Sequence, residues 1–96
     1  MNSWPFSDPE NVATFTVKQV VCGKEPILLV CHDAEDGGWQ FLTGETVQVA
    51  DAMLVGLKEI VKMDPSVVEL ADLPEGWSAT REFVDGPWKR AKSEIA

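Results

Sequence analysis

Apolar positions along this chain follow two rhythms, short β-type runs and one helical stripe, set apart by glycine- and proline-bearing breaks. Val12 to Val17 is rich in β-branched residues and predicts a strand. Lys18 to Cys22 suits either a continuation of that strand or a short helical turn. Gly23-Lys24-Glu25-Pro26 then reads as a turn, since Pro26 cannot donate to a ladder. Ile27 to Cys31 is a continuous apolar run, the pattern of a central strand. Trp39 to Leu42 resumes the β pattern after an acidic, glycine-ended loop, so the two runs predict a hairpin.

The stretch from Gly44 to Asp64 mixes both rhythms. Met53, Leu57, Ile60 and Val61 share one helical face, which predicts a helix over about 50–62. Val47 and Val49 alternate and Gly56 interrupts the stripe, so a strand over its first part is the alternative. Pro65 ends the helix by disfavouring the α region at Asp64. Ser66 is then placed to cap a short helix through Ala71, with Glu69 completing a capping box. After the Leu73-Pro74-Glu75-Gly76 break, Trp77 to Val84 predicts a last strand, and Trp88 to Ile95 a final helix that frays.

These elements predict one α+β domain over residues 1–96, with an irregular lead-in at 1–11 and a frayed tail at 89–96. The expected architecture is an antiparallel sheet of about four strands with two or three short helices packed on one face. Ninety-six residues, 45% of them hydrophobic, suffice for one core.

Charge narrows the partners. Sixteen acidic residues against eight basic ones give a net charge of −8. That disfavours nucleic acid and anionic membranes and favours a basic protein. The N-terminus carries no signal-peptide pattern, no apolar run approaches membrane-spanning length, and two cysteines make no disulfide framework. A cytoplasmic protein with reduced thiols is expected.

Candidate chemistry is sparse. His32 is the sole histidine, so acid–base catalysis would centre on it, with Cys31, Cys22 or a serine as nucleophile. Cys31 and His32 are strand neighbours and point to opposite faces, which denies them to each other as a catalytic or zinc-binding pair. The Asp33, Glu35 and Asp36 loop lacks the spaced oxygens and terminal bidentate acid of a calcium loop. No phosphate-binding glycine motif is present. The expectation is therefore no catalytic residue, metal or cofactor. Contact residues for a partner are expected on the hairpin loop (Asp33, Glu35, Asp36), with Trp77 as an anchor. A small enzyme centred on His32 and a self-associating structural subunit are the alternatives.

The chain also resembles a family of small bacterial domains, catalogued among the predicted immunity proteins of polymorphic toxin systems as family thirty-three. The resemblance spans about residues 14–88. Its specific parts are Gly38-Trp39-Gln40-Phe41-Leu42-Thr43-Gly44 and the spacing from Asp64-Pro65-Ser66 to Leu73-Pro74-Glu75-Gly76, followed by Arg81 and Trp88. Around the hairpin this chain departs from the family, with Cys31-His32-Asp33 where members carry an arginine and further acids. The resemblance implies an α+β fold, no enzymatic activity, a bacterial cytoplasmic setting and neutralisation of a toxin by direct binding.

Overall fold

The computed structural model describes residues 4–93, which form an α+β fold around one six-stranded sheet. In chain order the elements are β1 (Ala13–Val17), α1 (Lys18–Val21), β2 (Leu29–His32), β3 (Trp39–Leu42), β4 (Ala52–Gly56), α2 (Leu57–Met63), β5 (Trp77–Thr80) and β6 (Lys89–Lys92). Two 3₁₀ segments, Val49–Asp51 and Pro65–Leu70, complete it. The sheet runs β4-β1-β3-β2-β5-β6. It is mixed, because β1 lies parallel to β3 while the other neighbours are antiparallel. The expected four antiparallel strands are thus six, with one parallel contact.

Both extra strands come from segments with a helical reading. Ala52–Gly56 pairs residue for residue with β1, so the helix expected over about 50–62 begins at Leu57 and the strand alternative holds for its first part. The helical stripe ran across a joint, with Met53 in β4 and Leu57, Ile60 and Val61 in α2. At that joint the first amides of α2 lack intrahelical acceptors. Leu57 and Lys58 donate theirs to the carbonyls of Val12 and Glu10, both at 2.9 Å. The expected C-terminal helix is likewise a strand: Lys89–Lys92 pairs with β5 from Thr80 to Trp77. The end of that expected tail, residues 94–96, lies outside the described residues.

Strand alternation and register divide the sheet into two faces. Val30, Phe41 and Ala79 share the inner face and are fully buried against Leu57, Ile60, Val67 and Leu70. Thr14 and Thr16 are also buried, and their hydroxyls stay satisfied by donating to Val55 O (2.8 Å) and Phe41 O (2.7 Å). Phe15, Gln40, Cys31 and Ser78 occupy the outer face, each half-buried.

Residues 1–3 of the expected lead-in lie outside the described residues; from Trp4 to Asn11 it is irregular but packed. Phe6 is buried and meets the Trp39 ring edge-on at 5.3 Å. Asp8 accepts hydrogen bonds from the indoles of Trp4 at its carbonyl (2.6 Å) and Trp39 at its carboxylate (3.1 Å).

A buried ion pair ties the far end of the sheet to the 3₁₀ segment. Arg81 donates to Ile27 O (3.0 Å), Ser66 Oγ (2.9 Å) and Asp64 Oδ2 (2.6 Å), and its guanidinium lies 4.2 Å from the Trp88 ring centre. Asp64, not Ser66, caps Pro65–Leu70, accepting from the Ser66 amide at 3.1 Å and its hydroxyl at 2.6 Å. The ring face of Trp88 is what this cluster uses, since its indole N–H finds no acceptor among the described residues.

Candidate functional site

The β2–β3 hairpin closes tightly because its loop supplies its own acceptors. The Asp33 amide donates to Gly38 O at 2.8 Å, and the Gly37 amide returns to Asp33 O at 3.0 Å. Asp36 Oδ1 accepts from the Gly38 amide at 2.8 Å, an Asx-type turn. Gly37 takes φ +71°, and a β-carbon there would stand 2.8 Å from a carboxylate oxygen of Glu75. The loop needs glycine at that position for both reasons.

Pairing of β2 with β5 brings the second half of the site to the same end of the sheet. His32 stands opposite Trp39 on one side and Trp77 on the other. The Gly76 amide donates to His32 O at 2.7 Å, and Ser93 donates to Gly76 O at 2.7 Å. Trp77 is half-buried against the core and faces Lys92 across the β5–β6 pair.

His32 fastens these loops to each other. Its ring stacks on Trp39 at 3.9 Å with an interplanar angle of 12°. Nδ1 lies 2.7 Å from Leu73 O and Nε2 lies 3.2 Å from Gly37 O. Both ring nitrogens therefore face backbone carbonyls, and a neutral ring can donate to one of them at a time. Neither nitrogen is directed at a nucleophile. This geometry gives His32 the role of a clamp between the hairpin and the 73–76 turn.

Cys31, Asp33, Glu35, Gly76 and Ser93 line a shallow cavity of about 140 Å³ beside His32. Burial pushes the Cys31 thiol above its usual range, and the nearby Asp33 charge adds to the effect. A thiol so placed is a poor nucleophile, because the thiolate is the reactive form. Cys22 is an exposed free thiol by contrast. Iodoacetamide at neutral pH is expected to alkylate Cys22 about tenfold faster than Cys31 or more, as read by peptide mass spectrometry over time. Equal rates would show that Cys31 is neither shielded nor suppressed.

The structure brings the four expected contact residues to one end of the sheet, Asp33 toward the outer face beside Gln40 and Trp77 on the inner face opposite His32. Glu35 and Asp36 are exposed, while Asp33 is half-buried with both carboxylate oxygens 3.0 Å from Gln40 Nε2. The fold adds Glu75, exposed in the 73–76 turn and lying over Gly37, a residue whose sequence context marks only a chain break. Among the described residues none of these four carboxylates takes part in an ion pair. Among the same residues no cluster of three or more histidine, cysteine or acidic side chains has the arrangement to hold a metal ion. No helix there is long and apolar enough to cross a membrane. No family model matches the chain, and no curated protein or solved structure matches it either.

Proposed function

We propose that this chain is a non-enzymatic protein-binding domain that recognises a basic protein through the hairpin end of its sheet. The observation that carries the reading is the convergence of Asp33, Glu35, Asp36 and Glu75, none ion-paired among the described residues, at the end of the sheet where half-buried Trp77 also lies. Carboxylates without an intramolecular cation project their field outward and speed encounter with a cationic surface. A half-buried tryptophan at the same end supplies apolar area of the kind that anchors interfaces. The turn hydrogen bonds and the His32 clamp hold this end in place, so little ordering entropy is lost on binding.

The immunity-like part of the proposal, neutralisation of a toxin in a bacterial cytoplasm, rests on the sequence resemblance alone. The enzyme alternative centred on His32 receives no support from the geometry, because both ring nitrogens face backbone carbonyls. The test begins with capture of partners from a bacterial lysate at low and moderate salt. Glu35→Lys with Glu75→Lys is the informative variant, since neither carboxylate makes a turn hydrogen bond. Its association with the captured basic protein is expected to slow about tenfold, with a flatter salt dependence. An unchanged on-rate would remove the hairpin end as the contact surface.

A further inference from the structure

The ring of His32 faces more acceptors than a neutral imidazole can answer. Leu73 O stands 2.7 Å from Nδ1 and Gly37 O stands 3.2 Å from Nε2. Both are carbonyls, which only accept, and a neutral ring has a single N–H. With the proton on Nδ1 the shorter contact is a hydrogen bond, and the Nε2 lone pair is turned toward the Gly37 carbonyl. With the proton on Nε2 the mismatch moves to Leu73. The imidazolium carries an N–H at each nitrogen and satisfies both carbonyls at once. Those carbonyls belong to separate pieces of chain, Gly37 to the β2–β3 loop and Leu73 to the 73–76 turn.

We propose that His32 is a proton-operated clamp, in which uptake of one proton turns a ring that holds either the hairpin loop or the 73–76 turn into one that holds both. The proton comes from solvent to the ring nitrogen that lacks one, and no bond is broken. The charge gained sits over an indole face, since the ring stacks on Trp39 at 3.9 Å. Most charged groups at this end are acidic. Asp33, Glu35 and Asp36 come from the hairpin loop, Glu75 from the 73–76 turn, and Asp8 from the lead-in through its bond to Trp39. Of the cations, Lys92 lies beyond Trp77, two strands from His32, and Arg90 is paired with Asp72 at 2.7 Å. Cys31, the other titratable neighbour on β2, points to the opposite face. Acidification therefore fastens the hairpin to the turn and removes one unit of negative charge from this end. The clamp rests on the reading of this end as a binding surface only for its purpose. It is measured on the protein alone, so its failure and the failure of that reading are told apart.

Magnetic resonance of isotope-labelled histidine tests the proposal on the full chain and reads one residue, because the chain has no other histidine. Between about pH 8 and pH 5, the range in which histidine changes charge, the ring is expected to gain a second N–H shielded from solvent exchange. The carbonyl carbon signal of Gly37 should move in step with the ring. Hydrogen exchange at the Asp33 and Gly37 amides, which close the hairpin loop, should slow about tenfold over the same range, after correction for the intrinsic pH dependence of exchange. His32→Gln places an amide of fixed charge there, and that slowing should vanish. A second ring N–H that exchanges freely, or a Gly37 carbonyl indifferent to the ring, would overturn the proposal. Equal slowing in His32→Gln would overturn it too, by assigning the effect to the carboxylates. Should that variant fail to fold, the ring and carbonyl signals decide alone.

Discussion

Asp64→Ala is expected to destabilise the protein by about 3–5 kcal/mol, the range for removing one partner of a buried ion pair. The side chain of Arg81 is 1% exposed, so its charge cannot turn to water when the carboxylate is lost. The Ser66 hydroxyl and amide lose their acceptor in the same step, and with it the cap of Pro65–Leu70. Arg81→Met should cost less, about 1–3 kcal/mol. Asp64 is 20% exposed and keeps its Ser66 bonds, while the methionine fills much of the vacated volume. Arg81→Lys is no rescue, because an ammonium does not reproduce the guanidinium's place over the Trp88 ring or the fork to Asp64, Ser66 and Ile27. Denaturant unfolding at neutral pH reads all three as shifts in midpoint at constant slope. An Asp64→Ala protein no less stable than Arg81→Met would contradict the view that stranding the guanidinium is the larger penalty.

That cluster also explains part of the residue spacing that stands out in the sequence. Asp64, Ser66, Arg81 and Trp88 come from three separated stretches and converge on one lock between the 3₁₀ segment and the β5 end. Their spacing marks packing rather than a binding surface. Arg81 was legible as an inward position in one respect, since it shares the parity of Trp77 and buried Ala79 along an extended chain. Its acceptors were not legible, because they depend on how distant segments meet.

The same distinction runs through the fold. The β2–β3 hairpin and β1 could be read from local pattern because their apolar periodicity and turn residues agree. β4 could not, because Met53 aligns with Leu57 and Ile60 on a helical wheel while pairing with β1 fixes it in a strand. β6 has no apolar alternation at all, and its strand character comes from β5. Strand order and the single parallel contact have no local signature, since they are decided by which apolar faces can be buried together. The candidate site divides likewise: the hairpin acids were legible as one loop, whereas Glu75 reaches them only through the pairing of β2 with β5.

Trp39 is where the core and the candidate site meet, and Trp39→Ala is expected to cost about 3–5 kcal/mol. Its ring is buried and touches three aromatic neighbours, with His32 at 3.9 Å, Phe6 at 5.3 Å and Phe41 at 6.0 Å. The indole N–H also holds Asp8, so truncation unfastens the lead-in as well as opening a cavity. Trp39→Phe keeps an aromatic body and should lose about 1–2 kcal/mol, mostly the bond to the Asp8 carboxylate. The two variants separate packing from anchoring. Hydrogen exchange in Trp39→Phe should quicken at the Val12 amide, which donates to Pro9 O in the lead-in, while the Gly76 amide keeps its bond to His32 O. In Trp39→Ala both should quicken, because His32 loses the surface that holds its ring against the hairpin. Partner association should weaken only in the alanine variant, since only there does the acidic end lose its fixed geometry. If Trp39→Ala left the Gly76 amide as protected as in the unmodified protein, the clamp would have to be assigned to the Leu73 and Gly37 carbonyl contacts alone.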